Sequence, residues 1–217
     1  MQLKHISLDI WNTLIRPRPS YGVLRSELLA ERFQITSEHA EQLYRHCDKA
    51  LGLNDRPNRS AILSVIDMMR VAVGASSRDT VSLHRDLQNL FIANAPQVDP
   101  DVIEEMHRIE ARGITFSVTS NVGLMHGDIL RTILLDQGLP LATYTFDDEV
   151  GFRKPDPMIF KAVHRNVQRT MAEPLDPGSI LHIGDDVVCD VGGEPLGIRC
   201  LIIEGVDGLL PVLREIQ

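Results

Sequence analysis

The sequence predicts an α/β fold in which a parallel sheet is wrapped by helices and interrupted by an all-helical insertion. Segments with strand-like and helix-like patterns alternate over residues 96–217, and a further strand-like segment stands near the start of the chain. Such alternation is typical of βαβ units, whose strands form a parallel sheet. Residues 20–95 show only helical periodicity, with no convincing strand, which indicates the insertion.

Composition and charge exclude several classes of protein. The 217 residues are 43% hydrophobic and 24% charged, values that exclude collagen-like, disordered and disulfide-scaffold chains. The net charge of -8 disfavours nucleic acid as a partner, because the phosphate backbone is itself anionic. The sequence shows neither a secretory signal nor an apolar run approaching about 18 residues, so we expect no membrane partner.

Cysteines and histidines show no metal-binding or redox spacing. Cys47, Cys189 and Cys200 are distant from one another and contain no C-x-x-C pair, which favours a reduced compartment. The eight histidines contain no H-E-x-x-H motif. We therefore expect ordinary thiols rather than a zinc or disulfide site, in a cytoplasmic protein that is a monomer or a homodimer.

Five strands are predicted for the sheet. Leu3 to Ile10 is apolar at alternate positions and is followed by the polar pair Asn12-Thr13. The other candidates are Ile114 to Val118, Thr143 to Phe146, Ile180 to Ile183 and Ile198 to Ile203. The segment 114–118 departs from the pattern of a strand covered on both faces, because polar residues alternate with apolar ones where nearly all should be apolar.

The helical insertion is predicted over residues 17–95, between core segments at 1–16 and 96–217. Within it, apolar residues recur three or four positions apart in four successive segments, as they do on one face of a helix. The breaks between these segments lie near 35–36, 54–58 and 74–77. In the second core segment, helices are predicted at 101–112, 124–137, 156–168 and 190–196.

Polar residues follow the predicted strands at the carboxyl ends, where parallel sheets bind their ligands. These residues are Asp9, Asn12, Thr13, Ser120, Asn121, Lys154, Asp185, Asp186 and Asp190, and Trp11 lies among them after the first strand. Each alone has an ordinary explanation as a helix cap, a turn residue or a solvated lysine. Carboxylates gathered at one edge need a cation, and hard oxygen ligands suit Mg²⁺. A lysine and a hydroxyl beside them would hold a phosphoryl group.

The order of these motifs resembles the haloacid dehalogenase superfamily, whose members are mostly Mg²⁺-dependent phosphatases with an aspartate nucleophile. The matching residues are Asp9 to Thr13, Ser120, Lys154 and Gly184-Asp185 to Asp190, in order across nearly the whole chain. Four ordered motifs at strand ends make a chance match improbable. The resemblance implies a Rossmann-like core, and the helical insertion at 17–95 falls where the family carries its first type of cap.

The resemblance also implies the catalytic roles. Asp9 would attack phosphorus to form an aspartyl-phosphate, which water would then hydrolyse. Lys154, Ser120 and Asn121 would bind the transferring phosphoryl group and offset its charge. Thr13 and Asn121 would orient the groups of the loops.

A Mg²⁺ site is implied in the same way. Asp9, Asp185 and the backbone carbonyl of Trp11 would hold the ion. The candidates for a further ligand or a supporting position are Asp186, Asp190 and Thr13. We expect an octahedral ion, with the Trp11 side chain turned away from it.

Trp11 is the departure from the family pattern. The phosphatases that the chain resembles carry a second aspartate at this position, which protonates the leaving oxygen, whereas an indole N–H does not titrate in a useful range. Loss of a positioned acid typically costs about 10²–10⁴-fold in rate. Asn12 replaces the usual glycine, and asparagine tolerates a left-handed backbone better than most residues.

Three interpretations stay open. The first is a Mg²⁺-dependent phosphatase of a small phosphorylated metabolite. Either the metabolite has a good leaving group, or a group of the substrate or the cap acts as the acid. The second is a 2-haloacid dehalogenase, since halide leaves without a proton, but the family's dehalogenases lack the acidic residues at 185, 186 and 190. The third is a catalytically impaired protein that binds a metal or a phospholigand. A dinucleotide-binding domain is excluded, because G-x-G-x-x-G occurs nowhere.

Overall fold

The computed structural model describes residues 2–52, 58–75 and 80–216 and contains a five-stranded sheet. The strands are β1 (His5–Leu8), β2 (Thr115–Ser120), β3 (Leu141–Phe146), β4 (Ile180–Gly184) and β5 (Arg199–Ile202). Every neighbouring pair is parallel, in the order β3-β2-β1-β4-β5. The predicted parallel sheet is confirmed, and each predicted strand overlaps an observed one.

The central position of β1 determines where a ligand can bind. The chain runs from β1 out to β2 and β3 on one side and then forms β4 and β5 on the other side. Parallel sheets bind ligands outside the carboxyl ends of the strands at the point where the strand order reverses, which here lies beside β1. Leu8 at the end of β1 lies level with Val118 of β2 and Ile183 of β4. The residues that follow β1 therefore lie between the ends of β2 and β4.

Helices account for most of the remaining described residues. They are α1 (Pro19–Phe33), α2 (Ser37–Gly52), α3 (Arg59–Ala72), α4 (Thr80–Ala93), α5 (Pro100–Glu110), α6 (Gly127–Asp136), α7 (Asp147–Val150), α8 (Pro157–Gln168) and α9 (Leu209–Glu215). Consecutive helices from α1 to α4 contact one another, and α1 also contacts α4. We call these four the helical block. Its role as a cap over residues 17–95 stays a prediction, and the predicted breaks at 54–57 and 76–77 lie outside the described residues.

Local sequence signals explain where the core helices begin. Asp99 caps α5 by accepting a hydrogen bond of 2.9 Å from the amide of Asp101, and Asp156 caps α8 with one of 2.8 Å from Met158. A proline follows each cap, at a position where its missing amide hydrogen costs nothing. Gly113 has a φ of 88° after the end of α5, a conformation that glycine adopts without strain. None of the described helices combines the length and the apolar character needed to cross a bilayer.

The predicted helix at Asp190 to Leu196 is wrong. The described chain forms turns there, followed by a 3₁₀ helix of three residues, Glu194–Leu196. The reason is close packing at Gly192, where an added Cβ would lie 2.2 Å from the carbonyl oxygen of Pro155. The segment is thus pressed against the loop that follows Lys154, and two adjacent glycines weaken any helix. The short helices α7 and α9 are further elements that the sequence patterns did not predict.

A buried polar ladder crosses the middle of the sheet and explains why β2 alternates. The Nδ1 atom of His5 lies 2.7 Å from Thr115 Oγ1, and its Nε2 atom lies 2.7 Å from Ser117 Oγ. Ser7 Oγ lies 2.8 Å from Thr119 Oγ1 in the same pair of strands. Buried polar groups are tolerated when they are hydrogen-bonded to one another. The polar residues of β2 are therefore paired with β1 rather than facing water.

The hydrophobic core has two parts. The larger part contains Leu8 of β1 and continues into the helical block through Met69 and Phe91. The smaller part lies beneath α8, where Phe160 packs in the same cluster as Ile180 of β4. The helical block therefore shares one apolar core with the sheet. Because burial of apolar side chains is a main driving force of folding, this shared core stabilises the contact between the two.

All three cysteines are free thiols, as predicted. Cys47 is buried, while Cys189 and Cys200 are partly buried. Burial raises the pKa of Cys189 and of Cys200 to about 11, so both are protonated at neutral pH. Protonated thiols are weak nucleophiles and weak metal ligands.

The buried histidines predict that acid destabilises the protein. Burial lowers the pKa of His5 to about 3 and that of His84, on α4, to about 4. The unfolded chain, with a histidine pKa of about 6.5, therefore binds more protons than the folded chain below that pH. The free energy of unfolding should therefore fall as the pH drops below about 6.5 towards the pKa values in the folded chain. The expected slope is up to about 1.4 kcal/mol per pH unit for each histidine.

Urea denaturation at several pH values between 7.5 and 4 would measure this slope. The Nε2 atom of His84 is buried and has no hydrogen-bond partner among the described residues, so His84→Phe removes a titrating group without removing a hydrogen bond. We expect a shallower dependence of the unfolding free energy on pH in this variant than in the wild type. Equal slopes would contradict the assignment.

Candidate active site

The predicted site residues meet at the carboxyl edge of the sheet, around the end of β1. Asp9 follows β1 directly, Ser120 is the last residue of β2, and Asp185 follows β4. Lys154 comes from the loop between α7 and α8. Asp9, Lys154 and Asp190 are 6%, 4% and 0% exposed, so these charged side chains are almost entirely removed from water.

Lys154 joins two aspartates that are far apart in the sequence. Its Nζ atom lies 2.6 Å from Oδ1 of Asp9 and 2.5 Å from Oδ1 of Asp190. Burial alone would lower the pKa of this ammonium group, but the charges of the two carboxylates raise it. Burial raises the pKa of Asp9, and the charge of Lys154 opposes that shift. Lys154 is therefore a fixed positive charge beside Asp9.

Asp190 is held on both of its carboxylate oxygens. Oδ1 also lies 3.0 Å from Nε2 of His182, and Oδ2 accepts a hydrogen bond of 3.0 Å from the amide of Asp186. Burial alone would raise the pKa of Asp190, but its bonds to His182 and Lys154 lower it. A Cβ added to Gly184 would lie 2.1 Å from the Asp190 carboxyl carbon, so glycine leaves the room that this carboxylate occupies.

Asp9, Asp185 and Asp190 form a group that we call the acidic triad. Each offers one carboxylate oxygen, and these three atoms all lie within 4.8 Å of one another. Burial, and then the charges of Asp9 and Asp190, raise the pKa of Asp185, which also accepts a hydrogen bond from the Asn12 side chain. Carboxylates that repel one another at this distance are stabilised by a cation. A set of oxygen donors of this kind fits Mg²⁺.

Asp186 lies outside the acidic triad. Its Oδ1 atom accepts hydrogen bonds of 2.8 Å from the amide of Val188 and 2.9 Å from that of Cys189, and its side chain is exposed. These bonds lower the pKa of Asp186. Of the two positions that the sequence left open, Asp190 therefore approaches Asp9, whereas Asp186 stabilises the turn after β4.

The turn after β1 places Trp11 against other parts of the fold. Asn12 has a φ of 55°, the left-handed conformation expected of it. The indole Nε1 of Trp11 donates a hydrogen bond of 3.1 Å to the carbonyl of Asn121, and the ring packs edge-on against Phe91 of α4 with centroids 6.0 Å apart. The single N–H of the indole is therefore used within the protein. The role of the Trp11 carbonyl as a metal ligand stays a prediction.

Ser120, Asn121 and Thr13, the other predicted site residues, differ in their contacts. Asn121 holds the backbone of Lys154, because its Oδ1 accepts from the Lys154 amide at 2.8 Å and its Nδ2 donates to the Lys154 carbonyl at 3.0 Å. Ser120 Oγ makes only a long contact of 3.4 Å with the Asn121 carbonyl. Thr13 Oγ1 is buried and has no partner among the described residues. The structure thus gives Asn121 a positioning contact to Lys154, and phosphate binding by Ser120 and Asn121 stays a prediction.

A cleft of about 680 Å³ lies between this edge and the helical block. Its walls include Asn12, Trp11 and Arg153 on the sheet side and Arg25, Tyr44 and Asp48 from the helical block. Asn12, whose side chain bonds Asp185, connects the wall of the cleft with the acidic triad. The volume of the cleft is typical of a small-molecule site.

Two contacts at the site were not predicted from the sequence. His182, inside β4, bridges Ser7 and Asp190 at 3.1 Å and 3.0 Å, and a histidine within an apolar strand was the available signal. Arg153 donates a hydrogen bond of 2.7 Å from Nη1 to the carbonyl of Leu51 in α2. The position of Arg153 in the sequence, next to Lys154, does not predict a bond to Leu51. Both contacts join segments that are distant in the sequence.

Comparison with known sequences gives a short match. No protein-family model matches the chain. An uncharacterised hydrolase of Schizosaccharomyces pombe is 33% identical over 64 residues, which are 29% of this chain and 28% of that protein. The similarity in sequence therefore covers less than a third of either protein.

Comparison with solved structures covers almost the whole chain. YfnB of Bacillus subtilis, described as a HAD-hydrolase bound to magnesium, matches 99% of this chain and 100% of that one with a TM-score of 0.73 and 15% identity. A HAD phosphatase of Thermococcus onnurineus matches 100% and 97%, with a TM-score of 0.67 and 17% identity. A 2-haloacid dehalogenase of Pseudomonas syringae matches 93% and 86%, with a TM-score of 0.61 and 19% identity. At such identities, the likeness is one of fold.

The contacts of Asp190 predict a large cost for removing its charge. Asp190→Asn would leave the buried Lys154 ammonium with one carboxylate partner instead of two, and breaking a buried ion pair typically costs about 3–5 kcal/mol. We expect a loss of this size in the unfolding free energy, measured with urea. Asp186→Asn is the matched control, since that residue is exposed and acts as a turn cap, and we expect it to lose at most about 1 kcal/mol. Equal losses in the two variants would contradict this account.

Proposed function

The chain has the haloacid dehalogenase-like fold, and from that fold and the geometry of its site we propose that it is a Mg²⁺-dependent phosphatase of a small phosphorylated metabolite. One observation carries this proposal. A buried aspartate of an acidic triad, at the end of β1, is hydrogen-bonded to a buried lysine, and Trp11 and Asn12 of the turn that follows this aspartate line a cleft. A carboxylate, an ammonium group and a set of oxygen donors are the parts that phosphoryl transfer through an aspartate requires.

The proposed reaction begins with an attack of Asp9 on phosphorus. One carboxylate oxygen of Asp9 is held by Lys154, and the other forms the bond to phosphorus as the bond to the leaving oxygen breaks. Lys154 and Ser120 bind the phosphoryl oxygens and offset their charge. Water then hydrolyses the aspartyl-phosphate and releases inorganic phosphate.

The residues around Asp9 fit a Mg²⁺ ion. Asp9, Asp185 and the Trp11 carbonyl would hold the ion, and Asp190, whose two oxygens are already bonded, would support the site from behind. When bound, Mg²⁺ supplies positive charge next to the transferring phosphoryl group. The magnesium bound to the Bacillus subtilis relative supports this part of the proposal.

A dehalogenase is the second candidate, and a solved 2-haloacid dehalogenase has a similar fold. Displacement of halide from an anionic substrate needs no divalent cation. The triad holds three carboxyl groups against the single ammonium group of Lys154, so without a divalent cation it would repel such a substrate. The triad therefore favours phosphate as the substrate group.

Hydrolysis of p-nitrophenyl phosphate with and without Mg²⁺ tests the proposal. We expect activity that depends on Mg²⁺ and falls by about 10³-fold or more in Asp9→Asn, since removal of a nucleophile has effects of at least this size. Asp176→Asn is the control, because Asp176 caps a turn before β4, at the opposite edge of the sheet. Halide release from a 2-haloacid that is insensitive to chelator would instead support the dehalogenase.

Magnesium binding can be measured without any reaction. A ligand that binds only the folded state stabilises it by about 2.7 kcal/mol at a concentration one hundred times its dissociation constant. We expect MgCl₂ to raise the melting temperature of the wild type and to have a much smaller effect on Asp185→Asn. An equal response of both proteins would show that the ion binds elsewhere.

A further inference from the structure

The backbone carbonyl of Asn121 lies one residue beyond the hydrogen-bonded ladder of β2, whose last pair joins Ser120 to Phe146 of β3. A backbone group at such a position needs a partner outside the sheet. The indole of Trp11 is such a partner, because its Nε1 atom donates a hydrogen bond of 3.1 Å to this carbonyl. The bond connects the turn after β1 with the loop after β2.

The loop that Trp11 contacts also carries the side chain that holds Lys154. The Asn121 side chain bonds the Lys154 amide at 2.8 Å and the Lys154 carbonyl at 3.0 Å. The Nζ atom of Lys154 in turn lies 2.6 Å from Oδ1 of Asp9. A shift of the Asn121 backbone would therefore move the ammonium group relative to the nucleophile, and small displacements of reacting groups are costly in rate.

The Asn121 carbonyl is also within reach of the Ser120 hydroxyl group. Ser120 Oγ lies 3.4 Å from the carbonyl oxygen, which is long for a hydrogen bond between two oxygen atoms, whereas Trp11 Nε1 makes the shorter contact. Ser120 is buried, and a buried hydroxyl group turns to a partner that is available. Because the indole N–H already occupies the carbonyl, the hydroxyl group stays available for another acceptor.

The helical block holds the Trp11 ring in place. The ring packs edge-on against Phe91 of α4, with centroids 6.0 Å apart, and Phe91 packs edge-on against Tyr21 of α1 at 5.2 Å. Phe91 and Tyr21 are both buried. Edge-on pairs of aromatic rings are favourable arrangements. The indole N–H is therefore directed at Asn121 by packing on its other side.

We propose that Trp11 is a positioning residue for the phosphoryl group and that it acts by fixing the Asn121 carbonyl with its indole N–H. Held in this way, Asn121 keeps Lys154 beside the nucleophile, and the Ser120 hydroxyl group is left for a phosphoryl oxygen. This inference rests on the proposed function, and it assigns no proton transfer to Trp11. At the position where the phosphatases of the resembling family carry an acid, this chain has a residue that supports phosphate binding.

Replacement of a single atom tests the inference, because the chain contains one tryptophan. Expression in a tryptophan auxotroph supplied with benzothienylalanine replaces the indole N–H of Trp11 by sulfur and keeps the size of the ring. We expect the dissociation constant of inorganic phosphate, measured by calorimetry with MgCl₂ present, to rise by about five- to tenfold, as for the loss of one hydrogen bond. The value of kcat for p-nitrophenyl phosphate should fall by a similar factor.

A double-mutant cycle shows whether Trp11 acts through Asn121. Asn121→Ala already lacks the side chain that holds Lys154, so we expect Trp11→Phe to lower kcat much less in this background than in the wild type. Additive losses would contradict the inference, because they would place the effect of Trp11 elsewhere. Trp11→Phe also removes the N–H without the use of an analogue.

Val167→Ala is the control for an effect of stability alone. Val167 is buried near the end of α8, in the smaller part of the core, which contains neither Trp11 nor Asn121. We expect a lower melting temperature in this variant, because truncation of a buried side chain leaves a cavity, but an unchanged dissociation constant for phosphate. Weaker phosphate binding in Val167→Ala, to the same extent as in the Trp11 proteins, would overturn the inference.

Failure of the inference can be distinguished from failure of the proposed function. If the wild type binds inorganic phosphate and hydrolyses p-nitrophenyl phosphate with Mg²⁺, and the benzothienylalanine protein does both equally well, the inference alone is wrong. If the wild type does neither, the proposed function itself fails, and this inference fails with it.

Discussion

The buried ammonium group of Lys154 is the constraint on which the rest of the site depends. A lysine removed from water is stable as a cation only when anions surround it, and here Asp9 and Asp190 do so at 2.6 Å and 2.5 Å. Asn121 fixes the lysine backbone on both its amide and its carbonyl. Gly184 leaves the space that the second carboxylate fills. Much of the surrounding structure therefore serves to hold one charge in place.

This charge is connected to the middle of the sheet by a chain of hydrogen bonds. Thr119, Ser7 and His182 lead from β2 through β1 and β4 to Asp190, which contacts Lys154. Burial lowers the pKa of His182, so its ring is neutral and acts as a hydrogen-bonding group. Networks of this kind fix side chains in single positions when every member is bonded. The alternating polar residues of β2, which looked unfavourable for a covered strand, are part of this arrangement.

Patterns of neighbouring residues predicted most elements of the fold, and the ordered motifs predicted which residues meet at the carboxyl edge, whereas individual contacts between distant segments could not be predicted. The strands and the caps at Asp99 and Asp156 follow from local patterns, so they could be located in advance. The supposed helix after Asp190 does not form, because Gly192 packs against Pro155, a contact that no window of sequence reveals. The choice between Asp186 and Asp190 likewise depends on which carboxylate Lys154 reaches across the fold.

The bond between Arg153 and the carbonyl of Leu51 has a mechanical consequence. Arg153 and Lys154 are consecutive, so a single stretch of backbone is fastened to α2 on one side and to the acidic triad on the other. If α2 swings away from the sheet, it must either break this bond or pull on the peptide that carries the lysine. Opening of the cleft at α2 would therefore be coupled to the position of the Lys154 ammonium group beside Asp9.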